Sequence, residues 1–124
     1  MTGVIAEQKL GKLFAGLRAA VTIANEDGRI IFLNDLALEH YGDRGGKDLI
    51  GTSLHECHNP ESQAKIRETY TRYRAGEFTP TRYHSDKESG LAESIVLIPL
   101  LADGRFSGVA ELMWHERSEL VIES

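Results

Sequence analysis

The side chains able to do chemistry gather in one stretch, residues 51–76, which reads GTSLHECHNPESQAKIRETYTRYRAG. It holds the single cysteine, Cys57, and two of the five histidines, His55 and His58. Thiolate and imidazole are common zinc ligands, and positions three apart share one face of a helix. A structural zinc needs four ligands, however, and only the distant His40, His84 or His115 could complete a set. The plainer alternative has His58 closing a turn through a backbone hydrogen bond, with Cys57 packed as a small hydrophobe. His55 then takes a surface role. Ser53, His55 and Glu56 supply nucleophile, base and acid types, but so tight a spacing does not give triad geometry. Glu93 and Glu111, on strands expected to pair, are candidates for a carboxylate pair, although solvent-facing positions are the simpler expectation. The chain has no Gly-x-Ser-x-Gly elbow, phosphate loop or His-Glu-x-x-His motif. A non-catalytic protein is expected.

A helix must position these groups. Asn59 is a good N-cap, and Pro60 falls at the first helical position, where its missing N–H costs nothing. Glu61 sits where the helix dipole favours an anion. Ile66, Tyr70 and Tyr73 then form an inward face, while Lys65, Arg67, Glu68, Arg72 and Arg74 make a solvated one. Gly76 ends the helix. His58 therefore lies one residue before a helix that packs by one side.

The totals describe one domain of 124 residues, 41% hydrophobic and 27% charged. A net charge of −5 argues against nucleic acid or anionic lipid as a partner. No apolar run approaches the roughly 18 residues that span a bilayer, and the N-terminus lacks the apolar stretch of a secretory signal. One cysteine permits no internal disulfide, which suits a reducing compartment; a cytoplasmic location is expected.

Periodicity gives the other elements. Leu10, Leu13, Phe14 and Leu17 suggest an amphipathic helix over 5–17, weakened by Gly11 and Gly16. It has little of its own domain to lie on, so it folds back on the sheet or pairs with a second copy. Strands follow at 20–24 and 29–33, joined at Asp27-Gly28. Asn34 caps a short helix over 35–41, in which Leu36, Ala37, His40 and Tyr41 are candidate buried positions, and Leu49-Ile50-Gly51 reads as one helical turn. Strands at 78–85, 91–101 and 106–114 complete the chain, Pro80 placing the first of them at an edge or start. On the last strand Gly108, Ala110, Leu112 and Trp114 share one face; Val109, Glu111 and Met113 share the other. Trp114 is expected to fill core or interface. The tail from His115 is acidic. The fold class is thus α+β: a five-stranded antiparallel sheet with short helices covering one face. A cavity between the two layers is the natural ligand site.

At this point the sequence resembles a PAS domain, over about residues 17–120. Asp27-Gly28-Arg29-Ile30 is similar to the first hairpin of that family. Phe32-Leu33-Asn34-Asp35-Leu36-Ala37 resembles its strand and following Asn-x-x-Ala helix start. Leu49-Ile50-Gly51 resembles its Leu-Ile-Gly step, and His58-Asn59-Pro60-Glu61 its His-Pro-Glu-Asp-like turn. Asp103-Gly104-Arg105 and Phe106-Ser107-Gly108 resemble its final hairpin. The Cys57-His58-x-Pro60 wording is similar to bacterial PAS modules found with hemerythrin-like domains. The division implied is an N-terminal helix over 1–17, a PAS domain over 18–117 and an acidic tail over 118–124.

The resemblance implies a sensory module that binds a small molecule or haem and relays it through changed protein contacts. His58 would be the axial ligand of a haem iron, Cys57 the neighbouring thiolate candidate, and Ile66, Tyr70, Leu97 and Leu112 apolar lining. A flavin is the lesser cofactor expectation: the Asn-Cys-Arg-Phe-Leu-Gln wording of photoadduct relatives is missing, while non-covalent flavin stays open. A homodimer through the N-terminal helix and sheet face is expected, with a signalling protein as a further partner. The Asp-Ile-Thr-like exit of the family is replaced by Met113-Trp114-His115, so coupling to a kinase or cyclase is not expected. The alternative is a ligand-free PAS module that mediates homo- or heterodimerisation.

Overall fold

The computed structural model describes residues 7–86, 92–116 and 119–123. The expected helix start at Ile5, the Cys57 side chain, Leu91 and the turn at 87–90 lie outside the described residues. Helix α1 (Glu7–Ala15) precedes strands β1 (Ala20–Asn25) and β2 (Ile30–Leu33). Helix α2 (Asp35–His40), three 3₁₀ turns (Gly42–Arg44, Gly46–Leu49, Leu54–Cys57) and helix α3 (Pro60–Arg74) follow. Strands β3 (Thr81–Asp86), β4 (Ala92–Ala102) and β5 (Arg105–His115) close the fold. The sheet is five-stranded in the order β2-β1-β5-β4-β3, antiparallel at every pairing. The expected α+β architecture is the observed one.

The hairpins form for local reasons. Asn25 Oδ1 accepts from the Asp27 and Arg29 N–H groups, and Gly28 takes the positive φ of 80° that the β1–β2 turn requires. Asp103 and Gly104 both have positive φ, 52° and 76°, the backbone of a two-residue turn matched to strand twist. Gly42–Arg44, just after α2, forms a 3₁₀ turn. The first strand after α3 begins at Thr81 rather than residue 78, just after Pro80, which cannot donate to a ladder.

Paired residues in antiparallel strands share a face, so register sorts the sheet. Ala20, Thr22 and Ala24 of β1 align with Met113, Glu111 and Val109 of β5, and Ile95 and Leu97 of β4 continue the row. This face meets Ala37, Tyr41, Ile66, Tyr70 and Tyr73 from the helical layer to form the core. Val96, Ile98, Ala110, Leu112 and Trp114 occupy the opposite face. Phe106 packs against the rings of Tyr70 and Tyr73 at 5.7 and 5.9 Å.

Two asparagines anchor the helices. Asn34 Oδ1 accepts from Ala37 N as a helix cap and from Val21 N across the sheet edge, while its Nδ2 donates to the Leu17 and Ala19 carbonyls. Asn59 Oδ1 accepts from Ser62 N at 2.8 Å, capping α3 as its sequence position predicts. Asn59→Ala is expected to lower stability by about 1 kcal/mol, the usual worth of such a cap. Urea denaturation of the full chain checks this, and an unchanged midpoint would deny the cap any role.

Candidate functional site

His58 is held in place before its ring makes any bond. The segment leading to it runs along β2: Ile30 N donates to Thr52 O, Gly51 N to Ile30 O and Leu54 N to Gly28 O. Gln63, in the first turn of α3, reaches back to donate to the His55 and His58 carbonyls. The imidazole then turns inward, its side chain only 7% exposed. Its Nδ1 lies 2.7 Å from Leu54 O, and its Nε2 lies 2.7 Å from Glu111 Oε2. The other Glu111 oxygen accepts from the Tyr41 hydroxyl at 3.0 Å.

Glu111 is fully enclosed on the inner face of the sheet, which corrects the expectation that it faces solvent. Burial alone pushes its pKa up. The charge of His58, hydrogen bonds from His58 and Tyr41, and the charge of His40 outweigh that effect and bring it below the ordinary carboxyl value. Glu111 is thus an anion near neutral pH. Leu54 O and an ionised carboxylate can only accept, so both nitrogens of His58 donate and the ring is an imidazolium. The result is an ion pair inside the core, joining the start of α3 to β5.

A second carboxylate repeats the pattern. Glu93 is buried on the same face, again against the solvent-facing expectation, with His40 Nε2 at 3.6 Å. The His40 and Tyr41 rings meet edge-on at 4.6 Å, and Tyr41 lies 6.2 Å from the His58 ring. His40 of α2, Tyr41 just after it, Glu93 of β4, Glu111 of β5 and His58 thereby form one polar band through the core. Glu93 and Glu111 do not pair directly: Glu93 is in register with His115, and Glu111 with Leu97.

The other expected site residues divide between the two faces. Ile66, Tyr70 and Leu97 sit together in the core. Tyr70 donates its hydroxyl to Asn25 O, and burial, opposed by Arg74 and assisted by Asp27 and Glu111, pushes its pKa up to about 12. Leu112 is the correction, because strand alternation puts it on the outer face, away from His58. His55 is half-buried rather than at the surface. Its Nδ1 meets Ser53 Oγ at 3.1 Å, and burial, then Arg67 and His58, lower its pKa. Glu56 is exposed, so Ser53, His55 and Glu56 do not assemble as a triad. Among the described residues no group of three His, Cys, Asp or Glu side chains could hold a metal.

Haem ligation can be tested on the same geometry. An axial histidine must offer a nitrogen lone pair to iron. Both His58 nitrogens are engaged as donors, Nε2 by a buried carboxylate. The residues present do not fit His58 as an iron ligand.

A cavity of about 530 Å³ opens elsewhere, between α2 and the adjoining ends of β1 and β5. Leu36 and His40 of α2 line it, with Ala20 of β1 and Met113, Trp114 and His115 of β5. Arg18, Ala19 and Glu39 complete the lining. Its size falls within the range of roughly 300–1,000 Å³ usual for small-molecule sites. Sequence reasoning missed this place because its walls come from three separate segments. The buried carboxylates left a readable signal: each alternates with apolar residues that belong to the core.

The comparisons with known proteins agree with this architecture. The PAS domain of BvgS from Bordetella pertussis superposes with a TM-score of 0.68 at 18% identity, covering 90% of this chain and 86% of that one. A sensory box sensor histidine kinase from Vibrio cholerae gives 0.59 at 17% identity, covering 92% and 96%. VqmA of Vibrio cholera, solved with a ligand and DNA, gives 0.69 at 15% identity; 92% of this chain covers 53% of that one. No curated protein matches the chain in sequence. Among the described residues no helix is long and apolar enough to cross a membrane. The sequence model of the PAS fold matches residues 14–118, most of the chain, and the protein belongs to the PAS fold family.

Proposed function

We propose that this PAS domain is a sensory module that takes a small organic molecule into the cavity beside α2 and relays its presence through changed protein contacts. One observation carries the reading: the cavity touches both segments by which the chain enters and leaves the sheet. Arg18 and Ala19 connect α1 to β1, and Trp114 and His115 end β5. A ligand with different affinity for two arrangements of these segments shifts the balance between them. Sensor histidine kinases stand among the structures of similar fold, in keeping with such a role. Both His58 nitrogens meet acceptors within the protein, which favours an organic ligand over haem.

The relay surface in this reading is α1 with the outer face of the sheet, and its first partner is a second copy. Leu10, Leu13 and Phe14 of α1 are 50%, 61% and 41% exposed. Leu13→Asp is expected to halve the mass seen by light scattering; an unchanged mass removes α1 from the interface. Thermal denaturation against a panel of small molecules tests uptake. A bound molecule at a hundredfold excess over its Kd adds about 2.7 kcal/mol. Ala19→Phe, which narrows the cavity, is expected to abolish the shift. A panel without effect on either protein leaves the ligand-free dimerisation module, which the same exposed α1 residues favour.

A further inference from the structure

Independently of any molecule in the hollow, we propose that His58 is a proton-gated latch on the turn that leads into α3. When its imidazolium gives up a proton to solvent, the turn Leu54–Cys57 lets go of the ring and the entry to α3 loosens. The ring sits between two acceptors, with Leu54 O at 2.7 Å from Nδ1 and Glu111 Oε2 at 2.7 Å from Nε2. An imidazolium carries two N–H groups and satisfies both. A neutral imidazole carries one, and its other nitrogen turns a lone pair toward an acceptor. One contact must then open. A neutral ring keeps the stronger bond, the one to a carboxylate, so the proton leaves Nδ1 and the Leu54 contact yields.

The turn carries the chain from β2 toward α3. Leu54 N donates to Gly28 O, and Gln63 donates to the His55 and His58 carbonyls, so the turn sets where α3 begins. The groups around the ring leave the alkaline change to histidine. From β5, Glu111 stays an anion, helped by His58, Tyr41 and His40. From the turn itself, His55 is neutral in this range, because burial, Arg67 of α3 and His58 lower its pKa. Tyr70 of α3, pushed up to about 12 by burial, also stays neutral. His40 of α2 faces Glu93 of β4 as a second pair, at the longer distance of 3.6 Å. Both bonds of His58 are complete while its ring is charged, and one is lost as the pH rises through the point where the ring discharges.

Nitrogen NMR of the full chain, which resolves the His40 and His58 rings separately, tests this between about pH 6 and 10. His58 is expected to be an imidazolium at neutral pH and to become the Nε2–H tautomer on the alkaline side. Over the same range the exchange protection of the Glu56 and His58 amides, corrected for the intrinsic rise with pH, should fall at least about tenfold. These amides bond the Ser53 and His55 carbonyls within the turn. A proton lost without opening the turn would move the ring signals and leave that protection unchanged. Glu111→Gln supplies an amide that accepts from Tyr41 and donates to a neutral Nε2, leaving the Nδ1–H on Leu54 O. That protein should show a neutral ring at neutral pH and protection that is flat with pH. The wild-type titration decides by itself if Glu111→Gln does not fold. A wild-type ring that is neutral at neutral pH, or that never discharges in this range, overturns the latch. So does an Nδ1–H tautomer, a smaller fall in protection, or a Glu111→Gln protein that keeps the wild-type transition.

Discussion

Glu111→Ala is expected to cost about 3–5 kcal/mol of folding stability, the usual penalty for removing one member of a buried ion pair. The loss exceeds that of the hydrogen bonds themselves. The truncation leaves the His58 imidazolium enclosed without its counter-charge and the Tyr41 hydroxyl without its acceptor. His58→Ala strands the opposite charge and should cost a comparable amount. Because the two residues share one interaction, their double variant should lose much less than the sum. Glu111→Gln separates charge from shape, since an amide can still bond Tyr41 but cannot balance a cation.

The pH dependence of the same pair has a defined sign. The folded-state pKa of Glu111 lies below its ordinary value of 4.5, so the folded protein holds its proton less tightly than the unfolded chain. The contribution is complete above pH 4.5 and is lost as the pH falls through the lowered value. His55 acts in the same direction at higher pH. Its lowered pKa gives stability that is complete above 6.5 and declines on acidification. Urea denaturation between pH 7 and 3 should show acid destabilisation in the wild type and a shallower slope below pH 4.5 in Glu111→Gln. A Glu111→Ala protein within about 1 kcal/mol of wild type would dismiss the ion pair as a structural element.

Gly108→Ala is the second large effect. A Cβ at this position would sit 2.4 Å from the Ala24 carbonyl oxygen and 3.4 Å from both Ala24 C and Asn25 Cα. These are backbone atoms of the neighbouring strand, which cannot rotate aside as a side chain can. Either β1 separates locally from β5 or the strand bends, at a cost of about 3 kcal/mol. Gly11→Ala provides the contrast, because its Cβ meets nothing within 4 Å and the site is helical. There the change should be neutral or should stabilise by up to about 1 kcal/mol. Thermal denaturation distinguishes them, a 3 kcal/mol loss corresponding to at least about 12 °C. A drop below about 4 °C for Gly108→Ala would mean the strands have room to spare.

Much of the fold was legible because its signals are local. The Asn59 cap, Pro60 at the first helical position, the Asp27-Gly28 and Asp103-Gly104 turns, and Asn34 before α2 each act through backbone groups a few residues away. Period-two alternation put Val109, Glu111 and Met113 on one face, as observed. Yet the solvent-facing expectation for Glu111 read the side chain's polarity and passed over its apolar neighbours. A carboxylate enters a core only where a cation and donors meet it. Those partners, His58 and Tyr41, lie 53 and 70 positions away in the chain.

What the sequence determined by itself was the order of the main helices and strands and the one-sided packing of α3, since turns, caps and periods act over a few residues. Tertiary structure alone decided that His58 spends both nitrogens on protein partners, that Leu112 faces away from it, and that the cavity opens beside α2. Each of these depends on strand register and on segments brought together from distant positions. No spacing within a single stretch encodes that.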